Sequence, residues 1–282
     1  DIVVAFDETD VLHLGPHLDD QRRALDLQVL DHRHRVAVRQ HLDAVLDGQL
    51  PGQEDEDVAG LSRAHDARHD LGDLREKALR VSLDLGHTDA DSLPTDVRLK
   101  QYDPATDPGL AALYFQFGRY LLISCSRPGS LPANLQGAWN DSNEPAWAGD
   151  YHSNINVEMN YWPAEPANLA ECHRPFIDYV TSIREVSAKN TRRKYGKVRG
   201  WTVQTMNNAC GVSYWKWNPP GSAWYAQHLW EHFAFGRDND YLRKTAYPVL
   251  KEVCQFWDDH LKRRPDGTLV DAVKGATRRF GW

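Results

Sequence analysis

The sequence predicts an all-α fold for residues 81–282, preceded by an anomalous segment at residues 1–80. In the later region, apolar side chains recur at the spacing of helices, and no alternating strand run of comparable length occurs there. Composition also changes abruptly along the chain. Residues 1–90 contain no Trp, Tyr, Asn, Cys or Met, whereas all ten tryptophans lie at or beyond Trp139. We therefore expect the chain to consist of two parts that differ in composition and in structure.

The helical spacings predict four helices in the later region. Their approximate bounds are 108–125, 169–186, 224–235 and 242–261. The sequence SRPG at residues 126–129 stops the first of them. Loops rich in Asn, Trp, Gly and Pro join the four helices, and the functional signal lies in these loops.

Residues 1–80 show only weak patterns, and Phe6 is their single large aromatic side chain, so they have little to fill a core. Their repeated Asp, Arg, His, Leu, Val and Ala give the hypothesis of a GC-rich sequence translated out of frame, which sequencing the source DNA would test. Two histidine pairs, His13 with His17 and His65 with His69, have the spacing that shares a helix face. The second pair lacks the Glu that follows the first His of a zinc-protease helix. Solvated surface is therefore the favoured interpretation of both pairs.

Composition and charge exclude several classes of function. A net charge of -7 offers no basic face to nucleic acid. No apolar run approaches the ~18 residues that a membrane span needs. The four widely separated cysteines predict buried thiols rather than a zinc site or a disulfide framework. The first residues lack the pattern of a signal peptide, so the sequence leaves the localisation unknown.

A loop segment at residues 147–162 is rich in Asn, His and Trp. Amides and imidazoles exchange hydrogen bonds with hydroxyl groups, and tryptophan faces stack on the C–H side of sugar rings. His152, Asn154 and Asn156 are spaced by two, which in an extended segment projects all three onto one side. If it is extended, the segment predicts a site for a neutral, hydroxyl-rich ligand.

Each of these candidates also has a structural interpretation. Single asparagines often cap helices or satisfy the backbone of loops. Trp201 is balanced between core packing and a sugar platform, while core packing is favoured for Trp224, Trp230 and Trp257. Glu231 is the best-placed acid of the later region, although a carboxylate on a helix is commonly held by a structural partner.

Several longer strings have a recognisable order. They are YFQFGRYLLI at residues 114–123, SRPG at 126–129, LPANLQG at 131–137 and NINVEMNYWPAE at 154–165. Supporting strings are LPTD at 93–96 and GSAWYAQHLWEH at 221–232. Together they resemble glycoside hydrolase family 95, the 1,2-α-L-fucosidase family, over about residues 81–270.

This resemblance implies an (α/α)6 barrel, of which the chain would form a half-barrel. It implies an inverting hydrolase that removes terminal α-1,2-linked L-fucose from a glycan or oligosaccharide. Asn154 and Asn156 match the amides that orient the attacking water, with an Asp far downstream as the base. His152 matches a sugar-binding position, and Trp201 is a further candidate for one. No metal or organic cofactor is expected, and related enzymes are often secreted or periplasmic.

The chain departs from the family pattern at both ends. After Val270 it lacks the Ser-Pro-Glu segment whose Glu would be the general acid, and residues 1–80 stand where the family has a β-sandwich. We therefore expect an incomplete catalytic domain without the general acid and base, with Glu231 as a candidate acid. The alternative is a non-catalytic glycan-binding or remnant protein. A third hypothesis is another (α/α)6 glycosidase or phosphorylase.

Overall fold

A computed structural model describes residues 3–5, 76–213 and 215–271. In this part most of the regular structure is helical and the strands are short, which confirms the prediction of a helical later region. The chain divides into two compact units, Asp1–Ser124 and Cys125–Trp282. The boundary predicted near residue 80 stays a prediction, because residues 6–75 lie outside the described part.

The first unit contains a two-stranded antiparallel sheet and a long helix, of which only the last residue lies in the second unit. Its elements are β1 (Val3–Ala5), β2 (Ser82–Asp84), a 3-10 turn (Asp89–Ser92), α1 (Thr95–Lys100) and α2 (Pro108–Cys125). The observed bounds of α2 match the predicted range 108–125. Arg98 donates two hydrogen bonds to Asp107, from Nε at 2.9 Å and from Nη2 at 2.6 Å. Asp107 also accepts the N–H of Leu110 at 3.1 Å, so this ion pair fixes the first turn of α2.

The second unit consists of helices joined by loops that form three short antiparallel sheets. Its helices are α3 (Asn156–Tyr161), α4 (Ala170–Ser182), α5 (Arg184–Tyr195), α6 (Pro219–Gly236), α7 (Asn239–Tyr241) and α8 (Tyr247–His260). Its strands are β3 (Tyr151–His152) paired with β5 (Met206–Asn207), β4 (Val203–Gln204) with β6 (Trp217–Asn218), and β7 (Leu261–Arg263) with β8 (Leu269–Asp271).

Two of the predicted helices are interrupted. The helix predicted over 169–186 is broken at Ile183, between α4 and α5. At the end of α4, the hydroxyls of Thr181 and Ser182 donate to the carbonyls of Ile177 and Tyr179, a local competition that weakens helices. The helix predicted over 242–261 contains one π-helical turn, Leu242–Ala246, before α8 begins.

The core of the second unit is aromatic. Tyr161, Phe176 and Tyr225 are fully buried, and the ring of Phe176 stacks on Tyr161 at 4.9 Å and meets Tyr225 edge-on at 5.1 Å. The predicted core role is wrong for Trp230, which is 48% exposed. It follows the buried Leu229 on α6 and therefore lies about a quarter turn from the core face.

Two further sequence expectations can be compared with the described residues. No disulfide joins the four cysteines, but Cys210 and Cys254 are exposed, so the prediction of buried thiols is wrong for these two. Among the described helices, none has both the length and the apolar character that crossing a membrane requires.

Candidate functional site

A tight turn at residues 146–149 presents a tryptophan to solvent. Trp147 (φ 57°) and Ala148 (φ 59°) adopt left-handed backbone angles, which cost about 1–2 kcal/mol for each L-residue. Gln136 stabilises the turn by donating a 3.1 Å hydrogen bond from Nε2 to the carbonyl of Ala146. Trp147 is 69% exposed. Backbone strain of this kind concentrates at functional sites, and here it displays an aromatic surface.

The segment after this turn is not extended, and that part of the prediction is wrong. His152 ends β3, residues 153–155 form a turn, and Asn156 begins α3. The side chains therefore do not share one side through strand alternation. Asn154 and Asn156 are nevertheless both exposed, and His152 is half-buried beside them in the sequence.

The buried Ser153 explains why the chain turns at this point. Its N–H donates to the carbonyl of Thr205 at 2.8 Å, and its hydroxyl donates to the carbonyl of Gln204 at 2.7 Å. Asn218, just before α6, donates from Nδ2 to the carbonyl of Ser153 at 2.7 Å. These tertiary hydrogen bonds anchor the turn that carries the two predicted asparagines.

The imidazole of His152 has one nitrogen without a hydrogen-bond partner among the described residues. This atom, Nε2, is buried. Its ring meets the ring of Trp147 edge-on at 6.3 Å. Burial lowers the pKa of His152, and the opposing effects of Asp150 and of the Trp147 backbone do not restore it. The neutral imidazole can therefore exchange a hydrogen bond with a sugar hydroxyl.

Asp150 is a carboxyl that the sequence analysis missed. Burial raises the pKa of Asp150, although the neighbouring His152 opposes this effect. A carboxyl whose pKa is raised holds its proton to a higher pH than an ordinary Asp does. Its position in the sequence could have identified it, because Asp150 is the sole acidic residue between Trp147 and Val157.

Glu158 is a second carboxyl without a predicted role. It lies on α3 and is fully buried, and neither of its carboxyl oxygens has a hydrogen-bond partner within the described structure. Burial raises the pKa of Glu158 to about 8. The side chain is therefore mostly a neutral acid at pH 7, since burying an unpaired carboxylate is costly.

The other two predicted site residues lie elsewhere. Trp201 has no exposed surface, and its indole N–H donates to Glu252 at 2.9 Å, which supports the core alternative for this tryptophan. Glu231 is exposed on α6, one residue before His232. Within the described part of the chain, no hydrogen bond or ion pair joins Glu231 to Asn154 or Asn156.

A buried cluster of four side chains, here called the histidine cluster, consists of Glu165, His173, His228 and His232. The Nδ1 atoms of His173 and His232 lie 2.7 and 2.6 Å from one oxygen, Oε1 of Glu165. His228 continues the chain, with its Nδ1 atom 3.0 Å from Nε2 of His173. The four residues come from α4, α6 and the loop after α3, so sequence spacing alone did not group them.

Hydrogen bonding and burial set the charges in the histidine cluster. Burial opposes ionisation of Glu165, but the hydrogen bonds from His173 and His232 lower the pKa of this carboxyl to about 2. Burial lowers the pKa of His228 to about 3 and also lowers that of His173. An anionic Glu165 thus accepts a hydrogen bond from the neutral imidazole of His173.

Glu165, His173 and His232 can also offer three ligand atoms to a metal ion, all within 4.8 Å of one another. From the sequence, no metal-ligand set is expected in this region, and the histidine pairs singled out for their spacing are His13–His17 and His65–His69. Those two pairs lie outside the described residues.

Comparison with known proteins gives the family. The sequence model of the glycosyl hydrolase family 95 catalytic domain matches residues 63–275. An Aspergillus niger protein named "Probable alpha-fucosidase A" is 40% identical over 190 residues, which are 63% of this chain and 24% of that protein. The Arabidopsis thaliana protein "Alpha-L-fucosidase 2" is 39% identical over 215 residues, which are 72% of this chain and 25% of that protein. The chain thus spans about a quarter of the length of these relatives. It belongs to the catalytic-domain family of glycosyl hydrolase family 95, a family of glycoside hydrolase enzymes.

Proposed function

We propose that this chain carries the sugar-binding and water-positioning part of a glycoside hydrolase that releases terminal α-1,2-linked L-fucose with inversion. The observation that carries the proposal is the anchored turn at residues 153–155. It presents Asn154 and Asn156 to solvent directly after His152, whose buried Nε2 atom has no hydrogen-bond partner among the described residues. We infer that the sugar is fucose from the names of the relatives.

The chemistry assigns a different role to each side chain. The amide oxygens of Asn154 and Asn156 accept hydrogen bonds from a water molecule and orient its lone pair toward the anomeric carbon. His152 binds a sugar hydroxyl, and the ring of Trp147 stacks on the C–H face of the sugar. The (α/α)6 barrel belongs to the same proposal, with the helices of the second unit forming part of it.

Inverting hydrolysis also needs two carboxyl groups. One protonates the leaving oxygen, and the other takes the proton of the attacking water, which a neutral amide cannot retain at pH 7. The family resemblance implies an Asp and a Glu for these roles, and neither is identified among the residues of this chain. Glu231 remains our candidate for an acid within it.

Binding of 2'-fucosyllactose tests the proposal, with lactose as the ligand that lacks fucose. We expect saturable binding by isothermal titration calorimetry for the fucosylated sugar alone, and a loss of at least ~10-fold in affinity for Asn154→Ala and Asn156→Ala, which corresponds to about 1.4 kcal/mol. Asn239→Ala is the matched control, because Asn239 is an exposed asparagine on α7. Equal affinity in all variants would exclude the proposed site.

Proton NMR of the same mixture follows turnover and stereochemistry. Fucose that first appears as the β-anomer would show inversion and would place an acid within the chain, which Glu231→Gln then tests. Binding without release would favour the glycan-binding alternative for this chain by itself.

A further inference from the structure

The histidine cluster brings ligand-type atoms together in the interior of the second unit. Nδ1 of His173 and Nδ1 of His232 converge on Oε1 of Glu165 from two different helices. The side chains of Glu165 and His173 are 3% and 1% exposed, and that of His232 is 16% exposed. Enclosed, convergent side-chain atoms from separate elements are what a protein metal site requires.

The donor set indicates the class of metal. Two imidazole nitrogens and one carboxylate oxygen form a ligand set that zinc uses when it keeps a fourth position for water. Magnesium and calcium prefer oxygen ligands alone. A cation here would therefore be a divalent transition metal of the zinc class rather than an alkaline-earth ion.

The present distances are compatible with binding after a small adjustment. Ligand bonds of about 2.0–2.2 Å in a tetrahedron place ligand atoms roughly 3.3–3.6 Å apart. The two imidazole nitrogens lie 2.7 and 2.6 Å from Oε1 of Glu165, so each would have to move away by about 0.6–1.0 Å. Each ring then carries its proton on Nε2 instead of Nδ1, and the freed Nδ1 lone pair forms the bond to the metal. No proton is lost in this exchange of tautomers.

His228 can accept a hydrogen bond from the relocated N–H of His173, once its own proton has moved from Nδ1 to Nε2. Its Nδ1 atom lies 3.0 Å from Nε2 of His173, and the residue is buried. Metal-binding histidines usually donate their second N–H to such a partner, which fixes the ring and its tautomer. The rings of Tyr161 and Phe176 stack on His173 at 5.8 and 6.4 Å and hold its plane.

We propose that Glu165, His173 and His232 bind one zinc-class divalent ion, with His228 as the hydrogen-bond partner that orients His173. A water molecule takes the fourth position on the side of His232, the most exposed of the three ligands. The inference goes beyond the proposed function and does not depend on it, because sugar hydrolysis by the carboxyl groups and amides described above requires no metal.

Metal titration of the full chain tests this inference. The protein is dialysed against EDTA and then titrated with Zn²⁺ by calorimetry and with Co²⁺ by visible absorption. We expect one Zn²⁺ site that is present in the wild type and absent in His232→Ala. In His228→Gln, which keeps all three ligands, we expect the same site to be weaker by about 10–100-fold. Mg²⁺ is expected not to compete.

His260→Gln is the matched control, because His260 is also buried and contacts an acid, Asp271, at 2.6 Å outside the cluster. It should keep the site. The chain has 13 histidines, and others of them can bind Zn²⁺. Only a Zn²⁺ site that is lost in His232→Ala is therefore assigned to the histidine cluster. Equal Zn²⁺ stoichiometry in the wild type and in a folded His232→Ala variant would overturn the inference. If the variants do not fold by circular dichroism, the intense tetrahedral Co²⁺ bands of the wild type support the inference, and their absence overturns it.

Discussion

The indole nitrogen of Trp201 lies 2.9 Å from Oε2 of Glu252, and Arg184 binds the same carboxylate through Nε at 3.0 Å and Nη2 at 2.5 Å. One carboxylate on α8 therefore holds the first residue of α5 and the loop that follows α5. Trp201 is fully buried in this arrangement, while Arg184 and Glu252 are partly exposed. The tryptophan that resembled a sugar platform in sequence thus connects structural elements.

Trp201→Phe should lower stability without changing sugar affinity. The substitution keeps most of the apolar volume but removes a hydrogen bond to a charged carboxylate, which contributes about 1.5–3 kcal/mol. Urea denaturation measures the loss, and calorimetry with 2'-fucosyllactose measures affinity. Trp257→Phe is the control, because Trp257 is half-buried on α8 and its indole makes no hydrogen bond within the described residues. A selective loss of sugar affinity in Trp201→Phe would restore the platform interpretation.

Features determined by neighbouring residues could be predicted from the sequence. The bounds of α2 agree with the prediction because a regular apolar pattern ends at a Pro-Gly turn. The break at Ile183 and the turn after His152 were not predicted. Both depend on hydrogen bonds that the apolar pattern does not encode, and those of Ser153 reach residues about fifty positions away.

In the candidate site, too, features set by neighbouring residues could be predicted and those set by tertiary contacts could not. The segment at residues 147–162 could be identified by its composition, and it does contain the exposed asparagines. The histidine cluster could not be found in this way, because Glu165 and His232 are 67 positions apart and meet only after α6 packs in the core. The burial that raises the pKa of Glu158 is likewise a tertiary property.

Trp147→Ala should weaken sugar binding and leave the fold intact. The ring is exposed, so its removal costs little stability, whereas a lost aromatic contact of about 0.5–1.5 kcal/mol lowers affinity up to about 10-fold. Calorimetry with 2'-fucosyllactose provides the measurement. Trp230→Ala is the matched control, since Trp230 is an exposed tryptophan on α6. An equal effect of both substitutions would argue against a platform at Trp147.

Glu158→Gln should stabilise the protein at high pH. The pKa of Glu158 is about 8 in the folded state and near its ordinary value of 4.5 in the unfolded state. Between these values the folded state binds more protons than the unfolded state, so the contribution of Glu158 to stability falls as the pH rises. Relative to Glu158→Gln, the wild type should lose about 1.4 kcal/mol per pH unit in this window.

Urea denaturation of both proteins at about pH 4, 6, 8 and 9 measures this difference. The two curves should diverge steadily between about pH 4.5 and pH 8 and run parallel above it. A constant difference across the whole range would mean that Glu158 is ionised in the folded protein.

Gly200→Ala should be strongly destabilising, because the loop before Trp201 passes directly against α8. Gly200 has φ +59°, and an added Cβ would collide with the carbonyl oxygen of Glu252 and lie 2.9 Å from the nitrogen of Phe256. Backbone atoms of a helix cannot move aside as a flexible side chain can. We expect a loss of roughly 3 kcal/mol or more, the sum of left-handed strain and overpacking.

Gly129→Ala separates these two effects. Gly129 has φ +85° and nothing within 4 Å of an added Cβ, so this substitution introduces the strain alone, about 1 kcal/mol. Urea denaturation of both variants gives the comparison. If the two substitutions cost the same, the close approach of Gly200 to α8 is absent in solution. A larger loss at Gly200, accompanied by a smaller effect of Trp201→Phe in the same background, would show that the glycine allows the indole to reach Glu252.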